Sequence, residues 1–432
     1  MSRVRSPSPA PFFQSLAIDT FSFDRLGLPY SNSRGGLYNR SAALAGTRGQ
    51  TLDFAWSEEQ AAFRKEVIRF ARTELNDDIE RRDREEEFPF DFWKKCAQFG
   101  IQGLPVPAEY GGGGADTLTT VCALEALGYG CKDNGFLFSL NAHMWTTVIP
   151  LLGFGTEEQK RKYLPKLING EWIGLHCMTE PMSGSDAYSL RTRAERKGDR
   201  YVINGTKTFI TNTIHGDLFI VFANVDASKG ANGVTGFLIE KGHPGLVVGK
   251  KLHKMGLRTS PMSEVALVDC EVPAENILGK EGSGQAIFTH SMEWERTCIM
   301  ASHLGMMQRL IETCVKYAQE RKQFGQPIGK YSAIANKIAD MEVRLETGRL
   351  LLYKAAWIKS KGRHALREAS MAKLYVSEAT VQTCLDAIQI HGGYGYTTEY
   401  EMERDLRDAI SGTIYSGTSE IQRVIIAGFQ GL

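Results

Sequence analysis

The chain has 432 residues, 42% of them apolar and 23% charged, and a net charge of +1. That length favours two or three packed units. The near-neutral balance gives no basic field for nucleic acid, and no apolar run approaches the roughly 18 residues that span a bilayer.

Residues 1–50 are rich in Ser, Arg, Gly and Pro, with Asp19 and Asp24 as their only acids. This composition predicts a disordered extension. A mitochondrial targeting leader is the alternative, against which Pro7, Pro9, Pro11 and Gly35-Gly36 interrupt any amphipathic helix. From Ser57 the pattern turns helical. Ser57-Glu-Glu-Gln60 reads as a capping box, and Phe63, Val67, Phe70 and Leu75 recur near the helical period. Thr156-Glu-Glu-Gln159 opens another helix, through Leu167. Between them Gly111–Gly114 form a turn. Without a Lys-Ser/Thr ending they are no phosphate loop.

The period then changes. Tyr201–Ile210 sets Asn204-Gly205 between two strand-like runs, a hairpin signal. Leu218–Asn224, Val234–Ile239, Gly245–Val248 and Val265–Val272 continue as short β-rich runs, spaced as in a compact sandwich or barrel. Long helical periods return from about Ser283, broken mainly at Gly392-Gly393 and Gly417. The order α, β, α has no βαβ alternation and no G-x-G-x-x-G between a strand and a helix, which argues against a Rossmann domain. The expected fold class is α+β: an extension over 1–50, an all-α domain over 51–170, a β-sandwich or barrel over 171–282 and a helical domain over 283–432.

The eight cysteines, Cys96, Cys122, Cys131, Cys177, Cys270, Cys298, Cys314 and Cys384, are scattered without a C-x-x-C pair. Neither a zinc site nor a disulfide framework has that spacing. Reduced thiols, no metal and a cytoplasmic location are expected, with the mitochondrial matrix as the alternative.

Five segments, in order, resemble motifs of the acyl-CoA dehydrogenase family. They are His176-Cys-Met-Thr-Glu-Pro-Met-Ser-Gly-Ser-Asp186, Phe209-Ile-Thr-Asn212, Glu320-Arg-Lys-Gln-Phe-Gly325, Gln389-Ile-His-Gly-Gly393 and Tyr415-Ser-Gly-Thr-Ser-Glu-Ile-Gln-Arg423. The likeness runs from about residue 53 to the end. It implies a C-terminal four-helix bundle and bound FAD. Met178, Thr179, Ser185, Phe209 and Thr211 would face the flavin from the β-domain. Arg321, Gln323 and Phe324 would reach a neighbouring subunit's FAD, and Gln389, Gly392, Gly393, Thr418 and Glu420 would complete the cofactor site. A homotetramer, or less often a homodimer, follows from that likeness. The residue types suit the chemistry: an arginine pairs with a pyrophosphate, and glycines let backbone approach a cofactor.

Dehydrogenating a thioester needs a carboxylate to take the α-proton while the β-hydrogen leaves as hydride to the flavin. Many family members carry Glu between the aromatic residue and Gly of the C-terminal segment. This chain has Ser416 there, and a hydroxyl must itself be activated. Isovaleryl-type members carry the base on a helix, just before an arginine. The matching segment here is Ser291-Met-Glu-Trp-Glu-Arg296, which makes Glu295 the candidate base. Glu293, roughly 200° away around the helix, faces elsewhere. Ser185, Arg296, Tyr415 and Ser416 are the candidate substrate contacts.

Trp294-Glu295-Arg296 with Tyr415-Ser-Gly-Thr resembles the subset acting on carrier-tethered acyl or aminoacyl groups, above all prolyl-carrier-protein dehydrogenases. Gly128-Tyr-Gly-Cys-Lys-Asp133 and Leu304-Gly-Met-Met-Gln308 add to that likeness. The implied partner is a thioester on a carrier protein or on coenzyme A, with electrons passing to an electron-transferring flavoprotein or to O₂. Lys250, Lys251, Lys254 and Arg258 are candidates for docking an acidic carrier. A dehydrogenase of short or branched acyl-CoA, a flavin-binding member without catalysis, and a binding or assembly protein on this fold are the alternatives.

Overall fold

The computed structural model describes residues 56–432, so the expected extension over 1–50 lies outside the described residues. Seven helices come first: α1 (Glu58–Glu74), α2 (Ile79–Glu85), α3 (Phe90–Phe99), α4 (Thr117–Gly130), α5 (Asn134–His143), α6 (Ile149–Phe154) and α7 (Glu157–Ile168). Both capping boxes form: the Ser57 and Thr156 hydroxyls accept from Gln60 N and Gln159 N, while each glutamine side chain accepts from the cap backbone. These caps satisfy N–H groups that the first helical turn leaves orphaned.

Eight strands follow: β1 (Gly174–Cys177), β2 (Arg193–Lys197), β3 (Arg200–Thr211), β4 (Leu218–Asn224), β5 (Val234–Glu240), β6 (Leu246–Val248), β7 (Met262–Pro273) and β8 (Ile277–Leu278). They form one sheet in the order β6-β7-β3-β2-β4-β5-β8, with β1 added parallel to β4. β4 alternates between two apolar clusters. Leu218, Ile220 and Phe222 pack toward α7, and Phe219, Val221 and Ala223 pack into the sheet's own interior.

The Asn204-Gly205 hairpin is not there. β3 runs unbroken through it against β7, with a register shift between Ile203 and Gly205. The turn comes earlier, at Gly198-Asp199, where Lys197 of β2 pairs with Arg200 of β3. Gly205 serves a different need: a Cβ there would lie 2.3 Å from Thr192 Oγ1. The dipeptide marks a bulge and a close approach.

The chain ends in helices. α8 (Gly284–Glu320) leads through the small hairpin of β9 (Lys322–Gln323) and β10 (Gln326–Pro327) into α9 (Ser332–Ser360), α10 (Leu366–His391), α11 (Met402–Ser411) and α12 (Ser419–Gly428). One continuous apolar core joins α1, α3, α4 and α5 to α8, α9 and α10. α4 and α8 cross at near-contact. A Cβ on Gly128 would fall 2.1 Å from Ser302 O, and one on Gly305 would fall 2.1 Å from Glu125 O. Both glycine segments that resemble the carrier-linked subset lie at this crossing, where Gly128 and Gly305 permit the close approach. Glu125, beside it, is buried and accepts from Arg349 Nε (2.9 Å), Arg349 Nη2 (2.7 Å) and Tyr353 Oη (2.7 Å), tying α4 to α9. No described helix is long and apolar enough to cross a membrane.

Candidate active site

The β-domain presents one strip of the expected residues. Lys207, fully buried, donates to Glu180 Oε1 (2.8 Å) and Met178 O (3.1 Å), while Glu180 also accepts from Arg191 N and Thr192 N. Thr208 N donates to Thr179 O at 2.9 Å. This pins Met178 and Thr179 beside β3. A second register shift, between Lys207 and Ile210, turns Lys207 inward and everts Phe209, which is 62% exposed at φ 55°. A bulky side chain in the left-handed region is strained, and such strain concentrates at functional sites. Thr211 ends the strand, and Ser185 sits exposed in the loop between β1 and β2.

α8 supplies the acid. Between α5 and α6 the chain makes one wide π turn, Met144–Val148, entirely buried. It brings Trp145 parallel to Trp294 (ring centroids 5.9 Å apart) and its carbonyl to the Ser291 hydroxyl (2.9 Å). Glu293 and Glu295 flank Trp294 and point apart. Glu293 accepts from Ala365 N (2.7 Å) and Lys359 Nζ (3.2 Å) and lies 3.2 Å from His364 Nδ1. Burial pushes its carboxyl up, but these partners outweigh that and hold it below the usual range.

Glu295 is 5% exposed. Its Oε1 accepts from the Ser416 hydroxyl at 2.8 Å, and its Oε2 is buried with no protein partner. Burial pushes its pKa up to about 6, against the Ser416 hydrogen bond and the charges of Arg296 and Lys373. A buried carboxylate with one oxygen oriented and the other bare has the form of a general base. Ser416, at φ 55°, begins a left-handed turn that Gly417 continues at φ 88°. Arg296 faces this turn, not open space: its Nε donates to Ser416 O at 2.9 Å. Tyr415 packs on Phe138 and lies 3.3 Å from His303 Nε2. Behind Tyr415 a small void of about 20 Å³ is lined by Phe138, Asn141, Ile299, Ser302, His303 and Asp408, among others.

Most of the remaining expected residues lie apart. Arg321, Gln323, Phe324, Gly392 and Gly393 line an open recess of about 620 Å³, with Tyr317, His391 and Tyr394. No β-domain residue lines it. Gln389 precedes it, exposed on α10, and is not among its lining residues. Thr418 spends its hydroxyl capping α12, accepting from Ile421 N, and Glu420 is exposed in that helix's first turn. Phe324, at the tip of the β9–β10 hairpin, is 94% exposed at φ 49°.

These features suit FAD. An everted aromatic on an open strand can meet an isoalloxazine face, and an exposed guanidinium beside Gly392 and Gly393, where a Cβ would meet open space, can meet a pyrophosphate. Among the described residues no group of three or more His, Cys, Asp or Glu is arranged to hold a metal. The proposed docking cations fare less well. Lys251 pairs with Glu86, Lys254 donates to Ser260 O and Arg258 donates to Lys254 O, leaving Lys250 exposed. Sequence reading missed the π turn, the Lys207–Glu180 clamp, Gln422 and Lys373.

Three sequence models match: "Acyl-CoA dehydrogenase, N-terminal domain" over residues 57–171, the "middle domain" over 176–270 and the "C-terminal domain" over 282–430. An acyl-CoA dehydrogenase of Bacillus subtilis (strain 168) is 43% identical over 373 residues, 86% of this chain and 98% of that protein. The crystal structure of the prolyl acyl carrier protein oxidase AnaB is 56% identical with a TM-score of 0.87, covering 88% of this chain and all of that one. The structure of PigA with FAD and proline is 41% identical with a TM-score of 0.87 over the same shares.

Proposed function

The chain belongs to the acyl-CoA dehydrogenase family, and from that premise we propose that it is an FAD-dependent oxidoreductase dehydrogenating a prolyl thioester on a carrier protein, with Glu295 as the base. The observation that carries the mechanism is the bare, buried Oε2 of Glu295 beside an Oε1 held by Ser416.

Glu295 takes the α-proton. Its raised pKa makes it a stronger base than an exposed glutamate, yet it is ionised at neutral pH. Ser416 fixes its rotamer. Arg296 holds Ser416 O and sets a buried cation beside the Glu295 carboxylate. Stacked Trp145 and Trp294 exclude water from the α8 side. When bound, FAD supplies hydride acceptance, so the substrate loses one proton and one hydride and gains a C=C bond.

Likeness to a prolyl carrier protein oxidase and to a protein solved with FAD and proline supports the carrier-bound substrate. The FAD site is completed by a second copy. Arg321 and Phe324 are exposed in a recess without β-domain residues, and a neighbouring subunit's strip would cover them. The eight unpaired cysteines suit a reducing cytoplasm.

The test is anaerobic flavin bleaching on a panel: prolyl-carrier protein, butyryl-, isovaleryl- and palmitoyl-CoA. We expect fast bleaching with prolyl-carrier protein, slow bleaching with the short acyl-CoAs and none with palmitoyl-CoA. Preference for an acyl-CoA over the carrier substrate would overturn the substrate assignment. Adding O₂, or an electron-transferring flavoprotein, to the bleached enzyme identifies the acceptor. Arg321→Ala is expected to lower FAD retention without changing the fold, read as the flavin-to-protein absorbance ratio. Full retention would remove Arg321 from the cofactor site.

A further inference from the structure

We propose that Lys373 is a positioning residue for the base: its ammonium fastens the Ser416–Gly417 turn that orients Glu295, and its charge faces the same carboxylate. The inference rests on Glu295 being the base.

Lys373 lies on α10 with no exposed surface, and Nζ donates to Gly417 O at 2.7 Å. Among the described residues it makes no ion pair. A buried, unpaired ammonium costs stability, and an apolar residue of similar volume would remove that cost. The charge has a use where it sits. Two successive carbonyls of a left-handed turn are gripped from three helices: Ser416 O by Arg296 Nε of α8 (2.9 Å) and Gln422 Nε2 of α12 (3.1 Å), and Gly417 O by the same Gln422 Nε2 (2.8 Å) and Lys373 Nζ. With both carbonyls drawn inward, the Ser416 hydroxyl is left on Glu295 Oε1.

The groups around this centre are few. α8 contributes Glu295, Arg296 and His303. The turn contributes Tyr415, whose ring lies 6.0 Å from Lys373 Nζ. The loop after β1 contributes Tyr188, α10 contributes Glu378 and α12 contributes Glu420. Glu378 and Glu420 are exposed, and Glu378 pairs with Arg423, so Glu295 is the one buried carboxylate facing two buried cations. Burial, with Arg296 adding to it, pushes the Lys373 pKa down to about 7, above the value of about 6 for Glu295. Lys373 therefore still carries its proton where Glu295 begins to ionise. An opposite charge favours the carboxylate, so removing it must shift Glu295 ionisation to higher pH.

Full-length, FAD-loaded Lys373→Met, Lys373→Gln and Lys373→Arg are compared with Glu295→Gln, on whichever thioester the panel selects. In Lys373→Met, kcat is expected to fall roughly 100-fold, the order for a slightly misplaced catalytic group, while KM changes little. In both Met and Gln variants the acid limb of the kcat profile should move up by about one pH unit. Infrared difference titration of the carboxyl band that Glu295→Gln abolishes should show the same move. Lys373→Arg should keep the wild-type limb and recover most of the rate. If Lys373→Met does not fold, Lys373→Gln decides. An unmoved limb in the neutral variants, or an equal loss in Lys373→Arg, overturns the inference. A fully active Glu295→Gln instead overturns the base assignment beneath it.

Discussion

Replacing Glu295 by Gln is expected to lower the rate of flavin reduction at least about 1,000-fold, within the range that general-base catalysis supplies, while FAD stays bound and the melting temperature holds. The amide keeps the shape and still accepts the Ser416 hydrogen bond, so the pocket does not collapse. What is lost is the basic Oε2, the atom that no protein group touches. Ser416 offers no substitute, because its hydroxyl is a donor to that same carboxylate. In the wild-type enzyme kcat should fall as pH drops through about 6, where Glu295 becomes protonated. Glu295→Gln should show no such limb in its residual activity. Glu293→Gln is a different case. It weakens a buried contact with Lys359 and should cost stability more than rate. Near wild-type bleaching by Glu295→Gln would leave the cofactor assignment standing and the mechanism without a base.

Gly305→Val is expected to cost about 3 kcal/mol of stability, the upper end for overpacking a tight core. The first new atom would sit 2.1 Å from Glu125 O and 2.4 Å from Tyr129 N, so α4 and α8 must separate. Separation also strains the buried Glu125–Arg349–Tyr353 contacts. Thermal melting of the FAD-loaded protein measures the effect, and a melting temperature equal to wild type would show that the crossing gives way cheaply. The variant also separates two readings of the Leu304–Gln308 segment. A packing role predicts lost stability with an unchanged thioester preference; a recognition role predicts the reverse.

Much of this molecule was legible in the sequence because its periodicity changes twice, and capping boxes at Ser57 and Thr156 mark helix starts wherever they fall. The failures have physical causes. Asn-Gly signals a turn only when the chain needs to reverse, and at Asn204-Gly205 it needed room beside Thr192. The π turn at Met144–Val148 has no dipeptide signature and comes from packing against α8. Glu295 is found through its neighbour Arg296, but nothing in the sequence reading singles out Lys373. The signal was present: Ala369, Lys373, Val376 and Thr380 fall on one helical stripe, and the lysine interrupts it. Arg321 and Phe324 stay ambiguous because both are exposed, Arg321 over the Tyr394 ring and Phe324 against the edge of Tyr331.

The eight thiols bear on how this protein handles activated acyl groups. All are buried and unpaired, and burial raises the pKa of each, to about 11 for Cys270, to about 12 for Cys122, Cys131, Cys177, Cys298 and Cys314, and well above the ordinary thiol value for Cys96 and Cys384. A thioester is transferred by thiolates, and only a deprotonated, accessible sulfur attacks it. The folded chain offers none, so a thioester on a pantetheine arm meets no sulfur here able to take its acyl group.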